Sequence, residues 1–220
     1  LNMNNKISDI AFLFDLDGVI LDSERRYSKI WYDIEQDYPT GITDFPRVIE
    51  GTTLHDILDR YFPAPEVRDE VVRRCIEAEK QMKFDYMPGA AELLDTLNAK
   101  GIPCALVTSS DKAKMDSLNR QIPELLPKFN AIVDGDMVLH GKPDPEPYLT
   151  GARLLSVSPR HCAVIEDALT GIAAGKAAGA YVIGMSDTLG RKAITRLADE
   201  VYDLLSEIPV DHIIRILRDR

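Results

Sequence analysis

From residue 88 onward, short apolar runs alternate with helical patterns, and this alternation constrains the fold more than any other feature of the chain. The runs at 102–108, 131–133, 163–166, 181–184 and 200–202 read as strands, and an earlier run at 10–14 has the character of a buried strand. Between them, 90–99, 112–120, 146–155 and 171–178 carry helical periodicity, the first ending on the stop signal Lys100-Gly101. A helix between successive strands returns the chain to start the next strand in the same direction. The expected fold class is therefore α/β, a doubly wound parallel sheet with helices on both faces. The stretch from 22 to 86 breaks this rhythm. It has helical patterns at 23–36, 53–61 and 66–84 and no convincing strand. Because it follows the first strand and precedes the next, it reads as an insertion. Leu21-Asp22 and Met87-Pro88-Gly89 supply its exits. We expect a core of residues 1–21 and 88–220 and a helical unit of 22–87.

Composition narrows the functional classes. At 220 residues and 45% hydrophobic content, the chain can build one large domain or a core with a small second unit. The net charge of −10 argues against a nucleic-acid surface, which needs a basic footprint, but is compatible with a metal-neutralised pocket for a small anion. Cys75, Cys104 and Cys162 are far apart and flanked by apolar residues, so buried thiols in a reducing cytoplasm are expected. No run approaches the roughly 20 apolar residues of a membrane span. The first nine residues are polar and lack a signal peptide's apolar segment, with Met3 an expected start. A monomer is the default expectation.

Four signals fall at expected strand ends, where open parallel sheets bind ligands. In Asp15-Leu16-Asp17-Gly18-Val19, two carboxylates sit two apart after an apolar strand, and Gly18 permits a sharp turn. Like charges so close call for a cation or a shared proton, and a hard divalent ion such as Mg²⁺ suits oxygen ligands. A strand followed by an Asp-rich turn is the plain alternative. Leu106-Val107-Thr108-Ser109-Ser110 runs from a strand into hydroxyls at a helix start, a place for a phosphate, although Ser110 or Asp111 as a simple helix cap explains it too. Lys142, before the proline-rich start Pro143-Asp144-Pro145-Glu146-Pro147, would add a point charge to a bound phosphoryl group; a solvent lysine is the bland reading. Val164-Ile165-Glu166-Asp167 closes a strand with adjacent acids, and Gly171, Gly175 and Gly179, spaced by four, suggest a helix packed closely on the sheet.

In this order, Asp15-Leu16-Asp17-Gly18-Val19, Thr108-Ser109, Lys142-Pro143 and Glu166-Asp167 resemble the four motifs of the haloacid dehalogenase-like (HAD) superfamily, and the resemblance covers essentially the whole chain. Gly141-Lys142-Pro143-Asp144-Pro145 and the Glu166 to Gly179 segment look most like the beta-phosphoglucomutase-like phosphatases, and the insertion is similar to their small helical cap. The resemblance implies a Rossmann-like core and a Mg²⁺-dependent phosphohydrolase for a small phosphorylated metabolite. It assigns Asp15 as nucleophile, forming an aspartyl-phosphate, and Asp17 as acid and then base. Thr108, the Ser109 backbone and Lys142 would grip the phosphoryl oxygens. Asp15, the Asp17 carbonyl and Asp167 would hold the metal, with Glu166 direct or through water. Asp17 counts against a true haloacid dehalogenase, which lacks that acid.

The stretch from Val48 to His55 resembles the cap's substrate-facing loop, with Gly51 allowing close approach and Thr52 or Thr53 capping the next helix. The mutases carry a histidine where this chain has Tyr27 and a phosphate-gripping arginine where it has Leu54. Hydrolysis is therefore favoured over sugar-phosphate isomerisation. Glu50 is unusual beside a phosphate. It would help hold Mg²⁺, as in relatives acting on inorganic pyrophosphate, or select a hydroxyl-bearing substrate, or be an exposed loop acid. A beta-phosphoglucomutase, an inorganic pyrophosphatase and a non-catalytic phosphate-binding module remain alternatives. His55, His140, His161 and His212 show no metal-ligand spacing, Trp31 reads as packing, and Arg25 and Arg26 could meet an anionic substrate or face solvent.

Overall fold

The computed structural model describes residues 9–81, 83–186 and 190–220; Met3 lies outside them. Six parallel strands form one sheet in the order β3-β2-β1-β4-β5-β6: β1 (Ala11–Phe14), β2 (Cys104–Val107), β3 (Ala131–Val133), β4 (Cys162–Glu166), β5 (Tyr181–Met185) and β6 (Glu200–Tyr202). Every neighbouring pair is parallel. The chain winds outward from β1 to β3, then crosses back to place β4 on the other side of β1. The order reverses there, and a crevice opens beyond the strands' carboxyl ends. Phe14 at the end of β1 lies opposite Leu106 on one side and Ile165 on the other. β1 is buried on both faces, which is why it is a continuous apolar run rather than an alternating one.

The helical insertion comprises α1 (Glu24–Asp37), α2 (Phe45–Val48), α3 (Leu54–Tyr61) and α4 (Pro65–Gln81). The sheet carries α5 (Ala90–Ala99), α6 (Lys112–Gln121), α7 (Glu146–Leu154), α8 (Leu169–Ala177), α9 (Arg191–Ile194) and α10 (Val210–Asp219). Alternation along β1 divides the core between its two faces. Phe12 and Phe14 join Leu94, Leu118 and Leu217 from α5, α6 and α10. Ala11 and Leu13 join Tyr148, Ala152 and Ile172 from α7 and α8. The insertion has its own apolar cluster around Trp31, Phe45, Ile57, Phe62 and Val71, with Trp31 edge-on to Phe45 at 5.9 Å between ring centroids. Its entry and exit segments run antiparallel: Leu21 bridges Tyr86, the Asp22 N–H donates to Asp85 O at 2.9 Å, and the Met87 N–H donates to Ile20 O at 2.9 Å.

Local chemistry explains where elements differ from the sequence expectation. β2 is shorter than 102–108 because the Ile102 N–H closes the end of α5 on Leu97 O, while Pro103 has no N–H to give a ladder. Where a helix is expected at 66–84, α4 is described over Pro65–Gln81, and Phe84 is buried in the sheet core outside any helix. The sequence reading leaves out α2, α9 and α10, although Ile213, Ile214 and Leu217 of α10 have helical spacing and are buried. Of the three glycines spaced by four, the two on α8 pack as expected: a β-carbon at Gly171 would lie 1.7 Å from Glu166 Oε1, and one at Gly175 would lie 3.0 Å from both Val164 and Val182. Gly179 serves differently. At φ +80° it ends the helix in the left-handed conformation that glycine adopts without strain.

Candidate functional site

The end of β1 delivers Asp15 into the crevice. Its N–H donates to Ile165 O at 3.1 Å, so the neighbouring strand fixes the backbone on which the carboxylate stands. Gly18 follows at φ +75° and its N–H closes a turn on Leu21 O at 2.8 Å, folding Asp17 back over the strand end. From β4 come Glu166 and Asp167, both buried. Lys142, on the loop before α7, is buried too, and its Nζ bridges Asp15 Oδ1 at 2.5 Å and Glu166 Oε1 at 2.6 Å while donating to Val107 O at 3.1 Å. A lysine taken so completely from water is tolerable only because two carboxylates meet it.

Glu166 is held from every side. Oε1 accepts from Lys142 and, at 2.6 Å, from the Tyr148 hydroxyl; Oε2 accepts the N–H groups of Asp167 at 3.0 Å and Ala168 at 3.2 Å. Four donors occupy the roughly four lone-pair positions of a carboxylate. Gly171 leaves room for this arrangement, since any β-carbon there would overlap the carboxylate.

Asp17 faces a different set of donors. Lys114 Nζ lies 2.7 and 2.6 Å from its two oxygens, Ser110 Oγ donates at 3.2 Å, and Ser23 Oγ makes a short contact with Oδ1. These environments separate the two acids. Burial pushes the Asp15 carboxyl up to about 7, with Glu166 and Asp17 adding to the rise and Lys142 opposing it. Burial would raise Asp17 as well, but Lys114, with Ser23 and Ser110, outweighs it and holds that carboxyl below its usual range. Lys142 is held charged by Asp15 and Glu166 against the burial that disfavours the charge.

Thr108 is buried after β2. Its N–H donates to Val133 O at 2.9 Å, and its Oγ1 accepts the Ser110 N–H at 3.0 Å. Asp111 caps α6 by accepting the Lys114 N–H at 2.8 Å, so the capping alternative holds at that residue. The Ser109 hydroxyl reaches across to the insertion, donating to Gly51 O at 2.8 Å, and Thr170 Oγ1 donates to Glu50 O at 2.8 Å. Gly51, at φ +71°, comes so near that a β-carbon would lie 2.5 Å from Thr170 Oγ1. Thr53 rather than Thr52 caps α3, accepting the Asp56 N–H at 3.1 Å.

Between sheet and insertion lies a cavity of about 540 Å³. Asp15, Asp17, Ser109 and Asp167 line one wall; Tyr27, Trp31, Glu50 and Leu54 line the other. Glu50 is partly buried, and its Oε2 atom has no hydrogen-bond partner among the described residues. Burial pushes its carboxyl up to about 7, with Asp44 adding and Arg47 opposing. Arg26 pairs with Asp85 at 3.0 Å, the Arg25 side chain lies outside the described ones, and the His140 ring contacts Glu146 at 3.0 Å at the exposed start of α7. Sequence reasoning missed Lys114, Tyr148 and Ser23 as site residues, and placed Ser110 in the hydroxyl run or as a helix cap rather than on Asp17. None of the first three carries a local signal: a lysine in a first helical turn and a tyrosine on an amphipathic helix look the same whether they face solvent or a carboxylate.

The donor set suits a hard cation. Asp15, Glu166 and Asp167 each place a carboxylate oxygen within 4.8 Å of the others, and all three residues are buried. Oxygen donors of this kind fit Mg²⁺.

Comparison with known proteins agrees with this arrangement. Residues 11–179 match the haloacid dehalogenase-like hydrolase family. Hexitol phosphatase A of Escherichia coli (strain K12) is 33% identical over 181 residues, covering 80% of this chain and 82% of that protein. Beta-phosphoglucomutase of Bacillus subtilis (strain 168) is 32% identical over 216 residues, covering 90% and 94%. The crystal structure of beta-phosphoglucomutase from Clostridium difficile superposes with a TM-score of 0.80 at 25% identity, covering 96% of this chain and 98% of that one.

Proposed function

Because this chain belongs to the haloacid dehalogenase-like hydrolase family, we propose that it is a magnesium-dependent phosphohydrolase acting on a small phosphorylated sugar or polyol through an aspartyl-phosphate on Asp15. The observation that carries this reading is the meeting of Asp15, Lys142, Glu166 and Asp167 at the β1/β4 end of the sheet, with Asp15 and Asp167 lining a cavity of metabolite size. Residues 22–87 act as a cap over a core of 1–21 and 88–220. Their separate apolar cluster and the paired linkers at Leu21 and Tyr86 support that division. The buried Cys75, Cys104 and Cys162 fit a reducing cytoplasm, and no described helix is long and apolar enough to cross a membrane.

Asp15, the Asp17 carbonyl and Asp167 would hold Mg²⁺, with Glu166, whose lone pairs accept from Lys142, Tyr148 and two backbone N–H groups, adding its negative charge beside them. When bound, the ion offsets the negative charge gathered by the acids and the phosphoryl oxygens. Asp15 attacks phosphorus while the P–O bond to the leaving oxygen breaks. Asp17 gives that oxygen a proton, then takes one from the water that cleaves the acyl-phosphate, because the two half-reactions have opposite proton needs. Lys142, Thr108 and the Ser109 backbone grip the non-reacting oxygens, where transition-state charge is spread. Closure of residues 48–55 over the cavity excludes water.

Hydrolysis is favoured over mutase chemistry because Tyr27 and Leu54 line the cavity and the insertion contributes neither Lys nor Arg among the described lining residues, so a second phosphate finds little charge there. Burial holds the Glu50 carboxyl's proton up to about 7, with Arg47 opposing and Asp44 adding. That favours recognition of a substrate hydroxyl over a metal contact and weighs against a pyrophosphatase. The test is a panel of phosphate esters plus pyrophosphate, with Mg²⁺ and then with EDTA, on the parent, Asp15→Ala and Glu50→Ala. Ester hydrolysis lost with EDTA and with Asp15→Ala is the expected result. Phosphate release that survives Asp15→Ala removes the covalent route, no turnover of any ester favours a binding module, and unchanged kinetics in Glu50→Ala remove its role.

A further inference from the structure

We propose that Thr170 is a positioning residue that fixes Glu50 against the cavity, so that the Glu50 carboxyl group selects substrates carrying a hydroxyl beyond the phosphate. The assignment rests on the phosphohydrolase reading above and adds a residue to which no motif gives a role. Glu50 and Gly51 are the central residues of a tight turn, closed by the Thr52 N–H donating to Ile49 O at 3.0 Å. Gly51, at φ +71°, supplies the left-handed conformation that the third residue of such a turn adopts. The insertion holds both ends of the turn: Ile49 is buried in its apolar cluster, and Thr53 caps α3. The sheet domain holds the middle. Thr170 Oγ1 donates to Glu50 O and Ser109 Oγ donates to Gly51 O, both at 2.8 Å. From this pinned main chain the Glu50 side chain reaches the cavity wall, where its Oε2 atom is buried without a hydrogen-bond partner among the described residues. An unpaired buried acceptor is costly, so a donor that arrives with the substrate gains by meeting it.

Thr170 lies outside the cavity wall, so its influence on substrate choice passes through Glu50. In the first turn of a helix a threonine hydroxyl ordinarily serves its own backbone or water. This one, in the first turn of α8, reaches a carbonyl 120 residues away, across the boundary between insertion and sheet domain. The approach is close: a β-carbon on Gly51 would lie 2.5 Å from the Thr170 hydroxyl and 3.1 Å from the Ala168 side chain. Ser109 makes the matching contact but belongs to the phosphate-gripping set, so Thr170 is the anchor that can be altered without disturbing the phosphoryl group. Its loss frees the Glu50 peptide while Ser109 still ties the turn to the sheet domain. That separates a fault in recognition from a general opening of the cavity.

The experiment measures kcat and KM separately, with Mg²⁺, for p-nitrophenyl phosphate, which offers Glu50 no hydroxyl, and for the best substrate among sorbitol 6-phosphate, mannitol 1-phosphate and glycerol 3-phosphate. Thr170→Val keeps the branched shape and removes the donor. It should raise the KM ratio of polyol phosphate to p-nitrophenyl phosphate by about three- to tenfold, the worth of one hydrogen bond, with kcat for the polyol phosphate changed by less than about twofold, as for an interaction made equally in ground and transition states. Thr170→Ser, which restores the hydroxyl, should recover the parent ratio. In a Glu50→Ala background, adding Thr170→Val should move the ratio by less than about twofold. If Thr170→Val does not fold, Thr170→Ala carries the same comparison. Equal rises in KM on both substrates, no rise on either, or an undiminished effect without Glu50 overturn the assignment while leaving the phosphohydrolase reading intact. So does a parent that hydrolyses p-nitrophenyl phosphate alone, since Glu50 then has no hydroxyl to select. A parent that releases no phosphate from any of the four overturns the phosphohydrolase reading, and this one with it.

Discussion

Replacing Glu50 with Gln isolates the cost of placing an acid against the cavity wall. Its carboxyl is held at about 7 rather than 4.5, chiefly by burial. A proton held more tightly in the folded chain than in the unfolded one makes stability greatest below about 4.5, where both states are protonated. As pH rises from 4.5 towards 7 the unfolded chain ionises first and stability falls; above 7 both states are ionised and the loss is complete. At about 1.4 kcal/mol for each tenfold difference in proton affinity, the ceiling is ~3.5 kcal/mol. The side chain keeps partial contact with water, and screening brings the expected loss to about 1 kcal/mol. Glu50→Gln preserves shape and removes the proton equilibrium. The variant should come close to the parent in stability at pH 4, where Glu50 is protonated in both states, and exceed it at pH 8.5 by about 1 kcal/mol, or about 2–4 °C in Tm for a chain of this size. Urea titrations of the metal-free proteins at both pH values measure the difference. A gap that does not widen with pH, or a variant less stable at pH 8.5, refutes the reasoning.

Lys142→Met should destabilise the protein by about 3–5 kcal/mol at pH 8, because it strands Asp15 and Glu166 as buried charges; urea unfolding should show the cost shrinking by pH 5.5, as the Asp15 carboxyl takes up a proton. Gly171→Ala should cost more than about 2 kcal/mol, since the added carbon has to displace a fully buried carboxylate, and phosphate release should fall with it; a stable, fully active variant would mean that Glu166 can move freely. Gly51→Ala forces a side chain into both a left-handed backbone and the Thr170 hydroxyl, so it should cost at least about 1 kcal/mol and lower Tm by a few degrees, with KM rising several-fold, as measured by thermal melt and steady-state assay.

Much of the molecule is legible along the chain. β3 and β6 lie at the residues that the periodicity predicts, and α5 runs from Ala90 to Ala99 as expected, because each is a run of local preference closed by a local stop. Boundaries shift where a neighbouring element intervenes: the Ile102 N–H closes α5 on Leu97 O, and the Phe84 side chain is buried in the sheet core. The four motif acids and Lys142 are recognisable because each stands at the end of an apolar strand or before a proline-rich helix, positions whose local sequence is distinctive. Lys114 and Tyr148 are not, because nothing within a few residues of either says which carboxylate it will meet.

The order of apolar runs and breakers along the chain determines a parallel α/β sheet with a helical insertion, since hydrophobic period and turn chemistry are properties of neighbours in sequence. Only the tertiary structure decides which acids share a proton, a lysine or a metal site. Asp15 and Lys142, 127 residues apart, come within 2.5 Å solely because the sheet reverses its winding between β1 and β4. Burial then sets their charges, and burial belongs to the folded whole rather than to any segment.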